Sequence, residues 1–418
     1  MRRLHLGLGL AALLLAGLGA LYALNHLDEG ASSASAPAVT PALVQRGAYL
    51  ARAGNCMGCH TARGGQPYAG GRGIPTPFGT VFAPNLTPDT ATGLGAWSSE
   101  DFWRALHNGR GRDGRLLTPA FPYTNYALVT RADSDALYAY LRSLPAVASP
   151  RRPHELRFPF GTQAALAAWR ALYFRPAEFR PDPAQSPVWN RGAYLVQGLG
   201  HCNACHAPRN ALGATAGNDD FSGGMLKALG WYAPSLHDPA EAGVAGWTPE
   251  ALRRWLRIGQ GPQGSALGPM GEVVLGSTQH LSEPDLEAMS LYLRNLPQQP
   301  REREAPPRPD APRRALGAKL YEQHCASCHG AQGEGVAGIY PPLAGNRSVT
   351  MGSSANLLRV MLRGGFAPAT ATNPRPFGMP PFASQLDERE IAAIASHVRN
   401  AWGNRAGDVT PLDVLQAK

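Results

Sequence analysis

Three times in 418 residues the chain sets two cysteines and a histidine in the same order: Cys56-Met57-Gly58-Cys59-His60, Cys202-Asn203-Ala204-Cys205-His206 and Cys325-Ala326-Ser327-Cys328-His329. These motifs use all six cysteines, so none remains for a disulfide. Two thiols at this spacing can add to the two vinyl groups of one haem, and the residue that follows offers an imidazole to its iron. A zinc knuckle would need the motifs paired into four-ligand sites, and a redox dithiol would not need a trailing histidine each time. The motifs therefore point to three covalently bound haem c groups, attached at Cys56, Cys59, Cys202, Cys205, Cys325 and Cys328, with His60, His206 and His329 as iron ligands.

A second axial ligand usually comes from a downstream loop as a methionine thioether. Met270, in Leu267-Gly268-Pro269-Met270, lies 64 residues after His206, and Met379, in Phe377-Gly378-Met379-Pro380-Pro381, lies 50 residues after His329. Prolines beside each Met stiffen the loop that presents the sulfur. The first repeat departs from this pattern. Its segment Leu117-Thr118-Pro119-Ala120-Phe121-Pro122-Tyr123 has Phe121 in the methionine position, and no Met stands between Met57 and Met225. The sixth position of the first iron is then open, water-filled or taken by another group. His107 is the remaining histidine of that repeat, yet it aligns with Arg257 and Arg363, which reads as a solvated or propionate-facing helix position.

The elements that position these residues repeat as well. A helix containing glycine precedes each motif, at Arg46-Gly47-Ala48-Tyr49-Leu50, Arg191-Gly192-Ala193-Tyr194-Leu195 and Leu316-Gly317-Ala318-Lys319-Leu320-Tyr321. An amphipathic helix closes each repeat, over 136–144, 286–296 and 390–402, with Asp133, Asp285 and Asp387 favouring the helix starts. Glycine in the first helix lets the last cross it closely, with Tyr140, Tyr292 and His397 at the crossing, which makes His397 a packing residue. Between the helices stand Pro84-Asn85-Leu86, Pro234-Ser235-Leu236 and Pro341-Pro342-Leu343. A metal-bound imidazole normally donates its other nitrogen to an acceptor, and backbone carbonyls near these prolines are candidates.

The expected fold is all-α: short helices and long loops, with 48 Gly and 38 Pro, wrapped around haem. The expected divisions are a signal peptide or membrane anchor over 1–30, haem domains over 42–146, 189–298 and 315–405, linkers over 147–188 and 299–314, and a tail over 406–418. Arg2, Arg3 and the apolar run from Leu6 to Leu24 read as an export signal, as haem attachment outside the cytoplasm requires. At 19 residues the run nears the length of a bilayer span, and Pro37 compromises the small-residue site Ala34-Ser35-Ala36, which favours an uncleaved anchor. The first linker carries a helix over 163–174 with Leu166, Trp169 and Tyr173 on one side, for docking on the haem domains or meeting a membrane or partner. The second is proline-rich and solvated. The formal charge of +9 shrinks once about six propionates are counted, which argues against nucleic acid as a partner. The excess is uneven: residues 312–405 hold ten Lys and Arg against five Asp and Glu.

In these features the chain resembles the triple-haem cytochrome c subunits of bacterial membrane-bound dehydrogenases acting on gluconate, sorbitol, fructose and alcohols. The resemblance runs from Gln45 to Trp402. It rests on the three haem motifs, Gly70-Gly71-Arg72-Gly73-Ile74, Pro77-Phe78-Gly79-Thr80, Pro84-Asn85-Leu86-Thr87-Pro88-Asp89, the Trp97 to Arg104 helix, Leu156 to Pro159, and Ser277-Thr278-Gln279-His280-Leu281. It implies three tandem class I cytochrome c domains on the periplasmic side of the inner membrane. It also implies a relay of electrons from a catalytic subunit with flavin or pyrroloquinoline quinone to ubiquinone or another respiratory acceptor. Relatives with Ala-Phe-Pro-Tyr at the Phe121 position accompany molybdenum-dependent dehydrogenases, which leaves the partner's cofactor open. The chain shows no Rossmann glycine pattern, Ser/His/Asp layout or phosphate loop, so it reads as an electron carrier and not an enzyme. The alternative is a haem enzyme or small-ligand-binding protein acting at a five-coordinate haem 1, with Tyr123, Tyr126 and Arg115 as its polar neighbours.

Overall fold

The computed structural model describes residues 2–26, 38–261, 263–301 and 309–418, apart from several side chains in the first helix. The chain forms two compact units, one comprising residues 1–180, 197–201 and 210–214, the other 181–196, 202–209 and 215–418.

In the first unit, α1 (Arg2–His26) is followed by α2 (Pro41–Ala53), the single turn α3 (Cys56–Cys59), and a hairpin of β1 (Gly73–Thr76) and β2 (Gly79–Phe82). Then come α4 (Ser99–Asn108), α5 (Tyr123–Tyr126), α6 (Arg131–Ser143), β3 (Glu155–Leu156), which pairs antiparallel with β2, and α7 (Gln163–Tyr173). Among the described residues no helix is long and apolar enough to cross a membrane. The Ala34-Ser35-Ala36 segment lies outside the described residues. The end of α1 is fixed by Asn25, whose Nδ2 donates to the Ala167 carbonyl of α7 at 3.1 Å and whose own carbonyl accepts from Arg110 at 2.7 Å.

The linker helix docks within this unit. Leu166 is buried, and Trp169 meets Tyr123 edge-on at 6.2 Å, so the apolar face of α7 covers the segment around Phe121.

The second unit repeats the scheme twice. First come α8 (Pro187–Ala193), α9 (Asn203–His206), β4 (Gly224–Leu226) paired with β5 (Trp231–Ala233), α10 (Pro249–Ile258), the two-residue strands β6 (Gln260–Gly261) and β7 (Gly264–Ser265), α11 (Gly268–Gly276) and α12 (Glu283–Arg294). Then follow α13 (Ala311–His324), α14 (Ala326–His329), α15 (Arg347–Thr350), α16 (Ala355–Arg363), β8 (Gly365–Phe366) paired with β9 (Gly378–Met379), α17 (Glu388–Asn400) and α18 (Pro411–Ala417).

One helix crossing recurs three times. A Cβ on Gly47 would overlap the carbonyl of Ala136, one on Gly192 that of Ala288, and one on Gly317 that of Ala393. The next side chains met are Tyr140, Tyr292 and His397, as the sequence predicts. Only glycine permits backbone contact this close. Arg46 with Asp133 and Arg191 with Asp285, each pair 2.8 Å apart through Nε, tie the first two crossings. These aspartates stand at the third helical position behind the caps Thr130 and Ser282, whereas Asp387 is itself the cap of α17.

Candidate functional site

Each Cys-x-x-Cys-His run folds into one tight turn. The backbone N–H of His60, His206 and His329 donates to the carbonyl of Cys56, Cys202 and Cys325 at 3.0, 3.0 and 2.9 Å, so both sulfurs and the imidazole emerge within a single helical turn. In the first two repeats an arginine braces the turn: Arg72 donates to the Gly58 carbonyl and Arg209 to that of Ala204, both at 2.5 Å. Sequence reading missed these arginines as a pair. One lies 12 residues after its histidine and the other three, so no alignment links them.

The histidines are held from two sides. Nδ1 of His60, His206 and His329 lies 2.8, 2.7 and 3.0 Å from the carbonyl oxygen of Pro84, Pro234 and Pro341, the acceptors expected from the proline segments. A carbonyl only accepts, so Nδ1 carries the proton and Nε2 keeps its lone pair. The histidine's own carbonyl accepts from the N–H of Gly70, Gly223 or Gly335 at 2.8, 2.6 and 2.8 Å. Those glycines have φ of 76°, 79° and 66°, and a Cβ on any of them would strike the backbone of the same proline segment. Gly223 and Gly335 in this role were not legible in the sequence, because their distances from the histidine differ: 10 residues for Gly70, 17 for Gly223 and six for Gly335.

Burial lowers the pKa of all three imidazoles, only partly offset by donation to the proline carbonyls, which keeps the rings neutral at pH 7. Burial, reinforced by the neighbouring thiol, pushes Cys56 and Cys202 up to about 12 and Cys325 to about 11. Zinc would want thiolates, and among the described residues no three His, Cys, Asp or Glu side chains gather into a metal site. Two thiols in one turn beside a neutral imidazole with Nε2 free are the donor set that covalent haem attachment uses, so these residues fit the group.

Tyrosines stand beside the cysteines of the first and third motifs. Burial, then the nearby Cys56, raises the pKa of Tyr68, and burial followed by Cys56 and Cys59 does so for Tyr126. Tyr321 is raised by burial and by Cys325.

The downstream residues take different settings. Met270 sits in the first turn of α11 behind Pro269. Met379 lies in β9 and packs, with Cys325, against a core that includes Leu358, Phe382 and Ile394. Phe121 precedes α5, its ring 5.2 Å from Tyr126 and resting on the buried Tyr123, Ala127 and Phe174. His107 stacks on Trp103, one turn earlier in α4, at 4.2 Å. His397 packs between Tyr321 and Trp402 at 5.5 and 5.3 Å.

Motifs of this geometry, set in small helical folds closed by a first-to-last helix crossing, define a c-type cytochrome. The cytochrome c family model matches residues 44–145 and 315–402. The cytochrome c subunit of a quinone-type alcohol dehydrogenase from Gluconacetobacter polyoxogenes is 37% identical over 410 residues, covering 94% of this chain and 87% of that protein. The gluconate 2-dehydrogenase cytochrome c subunit of Pantoea cypripedii is 36% identical over 395 residues, 90% of either chain. A nicotinate dehydrogenase component from Pseudomonas putida is 40% identical over 368 residues, 86% of this chain but 30% of that longer protein. The chain belongs to the family of dehydrogenase cytochrome c subunits, electron-transfer components with covalently bound haem c.

Proposed function

We propose that this chain carries three haem c groups and relays electrons from a dehydrogenase catalytic subunit to ubiquinone or another respiratory acceptor. The reading rests on one recurring observation: three neutral imidazoles, each with Nδ1 on a proline carbonyl and each following two thiols in one turn. Haem supplies a one-electron couple at its iron. Cys56 with Cys59, Cys202 with Cys205, and Cys325 with Cys328 hold the three groups covalently, while His60, His206 and His329 ligate. Met270 and Met379 would supply the second iron ligand of the second and third groups. The cytochrome domains are 42–146, 189–298 and 315–405. The proline carbonyls fix ring orientation and raise ligand basicity.

The catalytic partner oxidises a sugar, alcohol or aldehyde with a flavin, pyrroloquinoline quinone or molybdenum cofactor. The similarity to components of both an alcohol dehydrogenase and a nicotinate dehydrogenase supports a partner of dehydrogenase type. The assembly works on the periplasmic side of the inner membrane, held by the N-terminal segment or through association with its partner. Co-expression tests this: the dehydrogenase should reduce a quinone analogue or respiratory acceptor only when this chain is present. Substrate oxidation by the purified chain alone would overturn it.

The second reading, small-ligand chemistry at haem 1, is favoured by one observation only. Phe121 stands in the methionine position within an aromatic cluster, and a phenyl ring offers iron no donor.

A further inference from the structure

The three downstream segments differ in one respect that bears on where electrons leave. Residues 117–121 and 267–270 are all half-covered. In the third segment Arg375, Phe377, Gly378 and Pro380 are exposed, with Phe377 63% accessible.

A collar of apolar side chains surrounds that loop. Phe366, 69% exposed, lies opposite Gly378 in the β8–β9 pair, and its ring covers the space a Cβ there would occupy. The turn Val336–Tyr340, closed by reciprocal 2.9 Å backbone hydrogen bonds, holds Val336 and Ile339 out, 44% and 47% exposed. Tyr340 joins the two parts, since its ring lies 5.7 Å from that of Phe377 and its side chain interacts with Cys328. The two rings thus lie side by side between the third motif and solvent, with Phe377 the exposed one.

We propose that this collar is the docking face for a small acidic one-electron carrier protein, which takes electrons from the haem at Cys325 and Cys328. The inference names the acceptor in the relay reading above and rests on it. Each transfer oxidises one ferrous iron to ferric and reduces the carrier's centre by one electron, with no bond or proton exchanged. Charge argues for an acidic protein. The collar includes exposed Arg375 and is flanked by exposed Arg363, with Glu334 the exposed carboxylate on the nearby turn, and residues 312–405 hold ten basic against five acidic side chains, an excess that stays positive after about two haem propionates. Such an excess steers a protein of opposite charge, whereas binding to anionic lipid usually takes about four to eight clustered basic residues. An apolar centre with a charged rim is also the general anatomy of a protein docking patch. The rival occupant is a quinone in the neighbouring apolar cleft of about 520 Å³, between Trp231, Leu275, Phe366 and Pro368.

The test uses the purified full-length holoprotein, reduced, then mixed by stopped flow with acidic plastocyanin or with neutral benzoquinone. Oxidation by plastocyanin should slow with rising salt, fall about tenfold or more in Arg375→Glu, and fall several-fold in Phe377→Ala. Arg254→Glu, on the exposed side of α10, should stay within about twofold. Haem content and midpoint potentials should not change. Oxidation by plastocyanin that ignores salt and both substitutions, while benzoquinone is still reduced, overturns the docking face and leaves the relay standing. Benzoquinone reduction lost in Phe377→Ala, with plastocyanin never reduced, overturns it in favour of the quinone. Failure to reduce either oxidant overturns the relay reading itself.

Discussion

His206 donates from Nδ1 to the carbonyl oxygen of Pro234 at 2.7 Å, while its own carbonyl accepts from Gly223, whose missing side chain lets the Pro234 backbone pass. His60 with Gly70 and His329 with Gly335 repeat the arrangement. The imidazole and its acceptor are thus held by one glycine at positive φ.

Gly223→Ala should therefore cost more than an ordinary loop substitution. The strained φ and the clash with the Ser235 amide together should destabilise the holoprotein by about 1–3 kcal/mol. Denaturant midpoints followed at the haem absorbance would measure this. Gly246→Ala, where no atom lies within 4 Å, serves as the control and should change little.

The helix crossings make a related prediction. A side chain at Gly317 must displace the Ala393 carbonyl, so Gly317→Val should overpack α13 against α17 and cost about 3 kcal/mol or prevent folding of that region. The same change at Gly338, which has open space around it, tests backbone strain alone. Thermal unfolding of the two variants separates the effects, and equal losses would contradict the crossing argument.

Covalent stoichiometry is checked by denatured mass. The wild-type chain should carry three haems, and Cys202→Ala should lose one thioether and destabilise its repeat, because a haem domain without its cofactor has little core of its own. A mass corresponding to two haems in the wild type would remove one motif from the assignment.

In the proposed three-haem relay, Phe121 would set the haem at Cys56 and Cys59 apart. Methionine ligation tends to raise haem potential, so this haem should titrate below the other two, and reduced protein should bind carbon monoxide at about one haem in three. Phe121→Met should suppress that binding and raise the lowest potential. His107, stacked on Trp103, should be replaceable by Ala with neither effect. Carbon monoxide binding that appears only in His107→Ala would instead make His107 the ligand.

Acid sensitivity follows from His397. Burial against Tyr321 and Trp402 lowers its pKa below the ordinary 6.5. The unfolded chain then binds the proton more readily than the folded one, so stability is lost as pH falls through 6.5 and continues to fall until the folded pKa is reached. The melting midpoint should drop from pH 7 to pH 5, and His397→Gln should flatten part of that slope with haem content intact. An unchanged slope in the variant would assign the effect to other groups.

The sequence by itself determined everything that depends on covalent order. The spacing of Cys56, Cys59 and His60 and its two copies made the three tight turns legible, because one helical turn is all that sets two thiols and an imidazole side by side. Gly47, Gly192 and Gly317 predicted the helix crossings for a similar reason, since absence of a side chain at a fixed helix position is visible in the chain. Tertiary structure decided what depends on contacts distant in sequence. Arg72 and Arg209 reach equivalent carbonyls from unequal distances, and different groups hold the proline segments: Asn85 bonds the Val147 carbonyl at 2.7 Å, whereas Glu241 accepts from the Ser235 amide at 2.7 Å. The exposure of Phe377, set against the half-covered Phe121 and Met270, likewise could not be read from residue type. Loop length and neighbouring helices cover two of these segments, and at Phe377 they leave the ring in solvent.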